Sequence, residues 1–342
     1  VVEEIMKKKT FTKVGAGIAV ILFAWMISGC TDSPKKKKKS PIQKDTTEVV
    51  KQPAKPKHIP FNADTAYYYI EKQVSFGPRV PNTFSHQLTA KFLAEELDRF
   101  ADHVFVQEAK VTNHRNEILN IKNIIAEFNP ERKDRILLCA HWDTRPLADM
   151  DRNRPFEPID GANDGGSGVG VLLEIARVLD SLDFNRGLDI ILFDAEDGGS
   201  RDPEEINSWC LGSQFWGNNL HRPDYRARFG ILLDMVGAKD ATFAREMHSQ
   251  QNAPGVVDMV WRTAQRLGFG DYFLNMQGGY ITDDHQYVYF ATRIPTIDII
   301  EYDVNSPNGF GSYWHTHDDN MDIISKETLT AVGKTVMAVV LR

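Results

Sequence analysis

Leu188-Asp189-Ile190-Ile191-Leu192-Phe193-Asp194-Ala195-Glu196-Asp197-Gly198-Gly199 joins an apolar run to an acidic pair and two glycines. The run from Leu188 to Phe193 has the length and composition of a buried strand. Asp197-Gly198-Gly199 is turn chemistry. The acidic pair therefore sits where a buried strand ends. The pattern recurs on both sides. Ile136 to Ala140 runs into His141-Trp142-Asp143, and Gly230 to Leu233 runs into Asp234. With Asp164 and Trp314-His315 these make five short acidic or histidine-bearing segments in one order. Carboxylates and imidazoles at buried strand ends are costly to desolvate unless something pairs with them. A divalent metal does so, and oxygen and nitrogen donors with few sulfurs point to zinc, held by three protein ligands with one position open. Each segment alone reads equally well as a turn. Their shared register with strand ends is what favours a metal.

Working outward, Phe61 to Gln73 and Ser85 to Phe100 show helical spacing of apolar residues. Val104 to Val111 and Ile118 to Phe128 read as two antiparallel strands, and Arg135 to Ala140 as a buried one. Thr144 to Gly161 is a long loop, of the kind that is usually functional inside a compact domain. Gly165 to Leu182 reads as a helix, as do 213–220 and 256–267. Thr296 to Ile300 is a further strand, and Ser325 caps a last helix. This alternation predicts an α/β fold: a single domain with a central mixed, mostly parallel sheet flanked by helices. Ligands in such sheets bind beyond the carboxyl ends of the strands, where the five segments fall.

The first 57 residues read differently. Lys7-Lys8-Lys9 precede the apolar run Val14 to Ile27, and Ser28-Gly29-Cys30 follow it. A basic start, a short apolar stretch and small residues describe a secretory signal over 1–30. Small residues ending in cysteine resemble a bacterial lipobox, which implies that Cys30 is lipidated and is the membrane anchor. Residues 31–57, with five consecutive lysines and four prolines, are expected to be a disordered tether. The folded domain is then expected over 58–342, and the resemblance to a lipobox implies a lipid-anchored place at the cell envelope of a Gram-negative bacterium, on the periplasmic or outer-membrane face.

Residues 1–57 hold 13 Lys against 5 acidic residues, while the remaining 285 hold 27 basic and 42 acidic, a balance of −15 within the total of −7. An acidic folded part argues against nucleic acid, whose phosphates need a basic face. It is compatible with peptides that present a cationic N-terminus. Cys139 and Cys210 are expected to be small buried hydrophobes, with a disulfide between them left open.

Taken as ligands, Asp164, Asp197 and His315 would hold one zinc. Asp143, two residues beyond His141, is expected to orient that imidazole. Glu196 diverges from its neighbour Asp197 and is expected to face the open position as a general acid and base.

These residues resemble a known family. His-x-Asp at 141–143, the acidic pair at 196–197, Leu233-Asp234-Met235-Val236-Gly237 and the late His315-Thr316 are similar to the zinc aminopeptidase family. Ile281-Thr282-Asp283-Asp284-His285 and Trp314-His315-Thr316 resemble its glutaminyl cyclase branch, and the lipobox and tether resemble bacterial members of the Bacteroidetes type. The resemblance runs from about Phe61 to the C-terminus. It implies conversion of N-terminal glutamine to pyroglutamate with release of ammonia, on one zinc held by Asp164, Asp197 and His315. Glu196 would shuttle the proton, with Asp283 hydrogen-bonded to it and Asp234 close by. Trp314, Ile281 and Trp142 would wall the pocket. It also implies a cis peptide at Asp164-Gly165. Three departures stand out. The acidic pair is Glu-Asp where animal cyclases have Glu-Glu, Asp298 stands where they have a histidine, and 303–313 has no counterpart.

Two other functions compete. A two-zinc aminopeptidase would add His141 and Asp234 as second-metal ligands, with Asp164 bridging. A surface lipoprotein that keeps the fold as a peptide receptor needs no chemistry, and the intact ligands and Glu196 argue against it.

Overall fold

The computed structural model describes residues 58–342; the expected signal, Cys30 and tether lie outside the described residues. Six strands form one sheet in the order β1-β2-β4-β3-β5-β8. They are β1 (His103–Thr112), β2 (Ile118–Phe128), β3 (Arg135–His141), β4 (Gly187–Phe193), β5 (Gly230–Asp234) and β8 (Thr296–Ile300). β1, β2 and β4 pair antiparallel, whereas β4, β3, β5 and β8 run parallel. The sheet is thus mixed with a parallel heart. Two short strands, β6 (Phe243–Arg245) and β7 (Phe273–Gln277), pair separately.

Strand periodicity assigns the two faces. Ile136, Leu138 and Ala140 join one core with Ile190, Leu192, Ile231, Leu233, Ile297 and Ile299. Leu137 and Cys139 face the opposite core with Ile191, Phe193 and Leu232. The first core is covered by α1 (Ala63–Val74), α2 (Phe84–Asp98), α3 (Gly166–Asp180), α6 (Pro254–Leu267) and α8 (Lys326–Val340). The second carries Trp216 of α4 (Leu211–Asn218) and Val288 of α7 (Asp284–Thr292). Burial on both sides is why these strands read as continuous apolar runs rather than alternating ones.

Helix starts follow the capping chemistry in the sequence. Asn62, Thr83 and Ser325 accept first-turn N–H groups of α1, α2 and α8 through their side chains. The short α5 (Met247–Asn252) and α7 carried no clear apolar period and were not legible as helices. Each is set by a carboxylate cap, Glu246 for α5 and Asp283 for α7. Cys139 and Cys210 are both buried free thiols. Among the described residues no helix is long and apolar enough to cross a membrane.

Candidate active site

The parallel strands deliver their C-terminal ends to one edge of the sheet. His141 closes β3, Asp234 closes β5, and Glu196-Asp197 lie just past β4. Asp164 comes from the turn before α3. Gly165 there has φ +86, and a Cβ would lie 2.3 Å from the Asp143 carbonyl oxygen, so only glycine admits this approach. No cis peptide occurs among the described residues; the Asp164–Gly165 bond is trans, contrary to the expectation, and the positive φ of Gly165 makes the turn instead.

Asp164, Asp197 and His315 bring one donor atom each within 4.8 Å of one another, all buried. His315 Nε2 lies 3.2 Å from Asp197 Oδ1 and 3.7 Å from Asp164 Oδ2. The other ring nitrogen, Nδ1, is 3.1 Å from Asp149 Oδ1, which fixes it as the N–H donor and leaves Nε2 as the inward acceptor. Asp197 Oδ2 is buried with no partner. An orphaned carboxylate oxygen beside a second carboxylate and an imidazole acceptor is the donor set of a divalent cation with oxygen and nitrogen preference.

A second group shares Asp164. His141 Nε2 stands 3.0 Å from Asp234 Oδ1 and 3.1 Å from Asp164 Oδ1. Burial opposes charge on this ring, but Asp234, Asp143 and Asp164 outweigh it and raise its pKa well above the ordinary histidine value. Asp143 serves another purpose than the one expected. Its two oxygens accept the backbone N–H groups of Glu196 and Asp197 at 3.0 and 3.2 Å, while His141 Nδ1 is 3.6 Å away. Asp143 clamps the acidic pair rather than orienting the imidazole.

Glu196 faces the same cavity. Cys210 donates its S–H to Glu196 Oε1 at 3.2 Å, and Asp283 lies in the same cluster with donor atoms within 4.8 Å. The expected hydrogen bond from Asp283 to Glu196 is not formed. Asp283 Oδ1 is taken up by the Asp284 N–H at the start of α7, and Oδ2 has no partner. Burial raises the Glu196 pKa well above the usual carboxylate range, with Asp283 adding to it and His141 opposing. Burial also lifts Asp283 to about 7, reinforced by Asp234.

The cavity above these groups measures about 480 Å³. Trp314 and Ile281 line it, and Trp314 stacks on His315 with ring centroids 3.6 Å apart. Trp142 does not line it. That ring is fully buried beneath the sheet end, stacked on His86 and donating to the Lys122 carbonyl. Its period along β3 turns it inward, away from the His141 side.

Sequence reasoning missed four contributors. Asp149 and Arg145 lie in the long 144–161 loop, which signalled function without naming residues. Arg145 donates to the carbonyls of Asp197 and Gly199, to Asp149, and sits over the Trp209 ring. Asp319 accepts the N–H groups of Asn163 and Asp164, holding the turn before α3. Cys210 was read only as a buried hydrophobe. Strained backbone gathers here as well. Ala195, Met235 and His315 have φ of +51, +46 and +55, conformations that cost roughly 1–3 kcal/mol each and cluster at functional sites.

The sequence pattern of Peptidase family M28 matches residues 123–340, from within β2 to the end of α8. The chain belongs to peptidase family M28. Its fold is similar to the crystal structure of Tannerella forsythia glutaminyl cyclase, at 54% identity and a TM-score of 0.81, covering 82% of this chain and 99% of that one. It is 27% identical to the glutaminyl-peptide cyclotransferase of Bos taurus over 261 residues, 65% of this chain and 66% of that protein. It is 31% identical to aminopeptidase YwaD of Bacillus subtilis over 226 residues, 65% of this chain. The chain spans under two thirds of both these relatives, and 44% of YwaD.

Proposed function

We propose that this M28 protein is a glutaminyl-peptide cyclotransferase, closing N-terminal glutamine of peptides to pyroglutamate and releasing ammonia. The observation that carries the reading is one cavity that holds the three converging donors of Asp164, Asp197 and His315 and, beside them, the buried carboxylate of Glu196, grouped with Cys210 and Asp283 instead. The similarity to a solved glutaminyl cyclase over nearly its whole length supports the same reaction.

Asp164, Asp197 and His315 would hold one zinc. Bound there, zinc supplies Lewis-acid polarisation of the substrate's γ-carbonyl. The chain's own residues do the rest. Trp314 and Ile281 confine the glutamine side chain so that it curls back on its own amine, which supplies proximity without a second substrate. Glu196 accepts a proton from the α-amine. The amine nitrogen bonds to the δ-carbon, the bond from that carbon to the side-chain nitrogen breaks, and Glu196 returns the proton to the departing nitrogen, which leaves as ammonia. Burial, with Asp283 adding to it and Asp234 close by, favours the protonated form of Glu196, so that it holds a proton long enough to deliver it.

The second reading is a two-zinc aminopeptidase, favoured by the group of His141, Asp164 and Asp234. A Gln-initiated and a Leu-initiated peptide, followed by mass spectrometry, separate the two. Loss of one ammonia from the first with the second untouched supports the cyclase. Release of free leucine overturns it and assigns His141 and Asp234 to a second metal. Metal analysis gives the independent count, one zinc per chain against two. We also infer a lipid anchor through Cys30 at the cell envelope, from residues 1–57; labelling with a fatty-acid analogue, lost in Cys30→Ala, tests it.

A further inference from the structure

Behind the acidic pair lies a second buried assembly that the reaction as derived does not use. His86, in the first turn of α2, is fully enclosed, and its Nε2 lies 2.7 Å from Asp194 Oδ2. A carboxylate there accepts, so Nε2 carries the proton and donates. The same oxygen accepts the Lys122 N–H of β2 at 2.6 Å, and Oδ1 accepts the Ala195 N–H at 2.7 Å. Trp142 completes the assembly. Its ring stacks on His86 at 4.5 Å, and its N–H donates to the carbonyl of that same Lys122. His86, Asp194, Lys122 and Trp142 thus close on one another, joining α2 and β2 to the segments just past β3 and β4.

Asp194 is the last fixed point before the turn that carries Glu196. Its own N–H donates to Asn123 Oδ1 at 3.1 Å. Ala195 then takes φ +51, and Asp143 accepts the next two N–H groups, those of Glu196 and Asp197. Three consecutive N–H groups therefore end on two buried carboxylates, and the left-handed alanine sits between the two anchors. Such a conformation persists only where its surroundings over-determine it. Without His86, a fully buried carboxylate would be one donor short beside that strained residue.

We propose that His86, acting through Asp194, is a positioning residue for Glu196: the pair holds the left-handed turn at Ala195 and with it the direction from which the Glu196 carboxylate meets the substrate amine. The inference rests on the cyclase reading above. The metal-type donors are held separately. The Asp197 N–H rests on Asp143 and its carbonyl accepts from Arg145, while Asp164 and His315 come from other segments. Loss of the His86 contact should therefore disturb proton transfer and spare zinc binding. A misplacement of about 1 Å at a reacting group costs on the order of 10²-fold in rate.

The test compares His86→Leu and His86→Gln with the wild type on a Gln-initiated peptide, reading kcat and KM from ammonia release and zinc by atomic absorption. In His86→Leu, kcat should fall about 10–100-fold while KM and zinc content stay near the wild-type values. His86→Gln keeps an N–H donor for Asp194 and should recover most of the loss. The Glu196→Gln background supplies the readout that a general weakening of the fold would not move. There, adding His86→Leu should leave the residual turnover nearly unchanged, because the group it positions is already gone. Trp142→Phe, which keeps the stack and loses the bond to Lys122, should lower kcat a few-fold with the same non-additivity, and stands in if His86→Leu does not fold. Full activity in His86→Leu, an equal fall in the Glu196→Gln background, or zinc lost in step with turnover overturns the positioning role. No ammonia from the wild type is a separate result, overturning the cyclase reading and this inference with it.

Discussion

Cys210 Sγ lies 3.2 Å from Glu196 Oε1, and the Cys210 N–H donates to the Glu196 carbonyl at 3.0 Å, so one residue holds both ends of the acidic side chain's own residue. Cys210 takes the left-handed conformation, φ +57, to make both contacts at the start of α4. A thiol is a weak donor, and this one acts by fixing which carboxylate oxygen is free to face the substrate amine. Cys210→Ala should lower kcat by about tenfold, the equivalent of one modest hydrogen bond in the transition state, with KM little changed. Cys210→Ser, which keeps a donor, should restore most of it. A fall in KM and kcat alike, with no rescue by serine, would point to packing instead.

Separating proton transfer from metal binding needs two substitutions. Glu196→Gln removes the base but none of the three converging donors, so zinc content should stay at the wild-type level while turnover falls by about 10²–10⁴. Asp164→Ala removes a donor from both candidate clusters and should abolish zinc binding measured by atomic absorption. An active, zinc-loaded Glu196→Gln protein would contradict the assigned base.

Asp149 is an outer support of the same site. Burial works against its charge, but hydrogen bonds from His315 and Arg145 outweigh that and hold its pKa below the usual carboxylate range. Asp149→Asn keeps the shape but removes the charge that orients His315. Zinc affinity, read by competition with a chelator, should fall about 10–100-fold. Unchanged affinity would mean that packing on Trp209 and Trp314 suffices to hold the ring, since both stack against His315.

What the sequence made legible follows from where the energy is local. Leu188 to Phe193 and Ile136 to Ala140 are buried on both faces, so their composition alone announces parallel strands, and the acids at their ends announce a site. Ser325 is legible as the cap of the last helix, a local signal, whereas the caps Asn62 and Thr83 are not read from the sequence although their contacts are as local. Asp149, Asp319 and Cys210 act through tertiary contacts: Asp319 reaches Asn163 and Asp164 across 155 or more residues of chain. Trp142 shows the same limit from the other side. The family resemblance implies a pocket wall, but strand alternation and the Lys122 carbonyl draw its ring into the core. The contact from Asp283 to Glu196 is also absent: Oδ1 of Asp283 caps α7 and Oδ2 finds no partner, a placement that only the tertiary fold sets.

Away from the site, His221 gives the fold a sensitivity to acid. Its ring is buried against Trp216, whose Nε1–H donates to His221 Nδ1 at 3.0 Å, an arrangement that requires the nitrogen to be unprotonated. Burial lowers its pKa to about 4, with Asp189 opposing and Arg222 and Arg135 assisting. Above pH ~6.5 the ring is neutral in the folded and unfolded chains alike and contributes nothing to pH dependence. Below it the unfolded chain takes up the proton and the folded one does not, so stability falls with pH until about 4, where both are protonated. A gap of about 2.5 pH units corresponds to roughly 3 kcal/mol at its full extent. Denaturant unfolding between pH 7 and pH 4 should show this loss in the wild type, superimposed on the carboxylate contributions. The difference between wild type and His221→Gln should change by about that amount over the same interval and be flat above pH 7. A difference that is constant with pH would mean that His221 is protonated in the folded protein, with Glu127, 3.7 Å from its Nε2, as the partner.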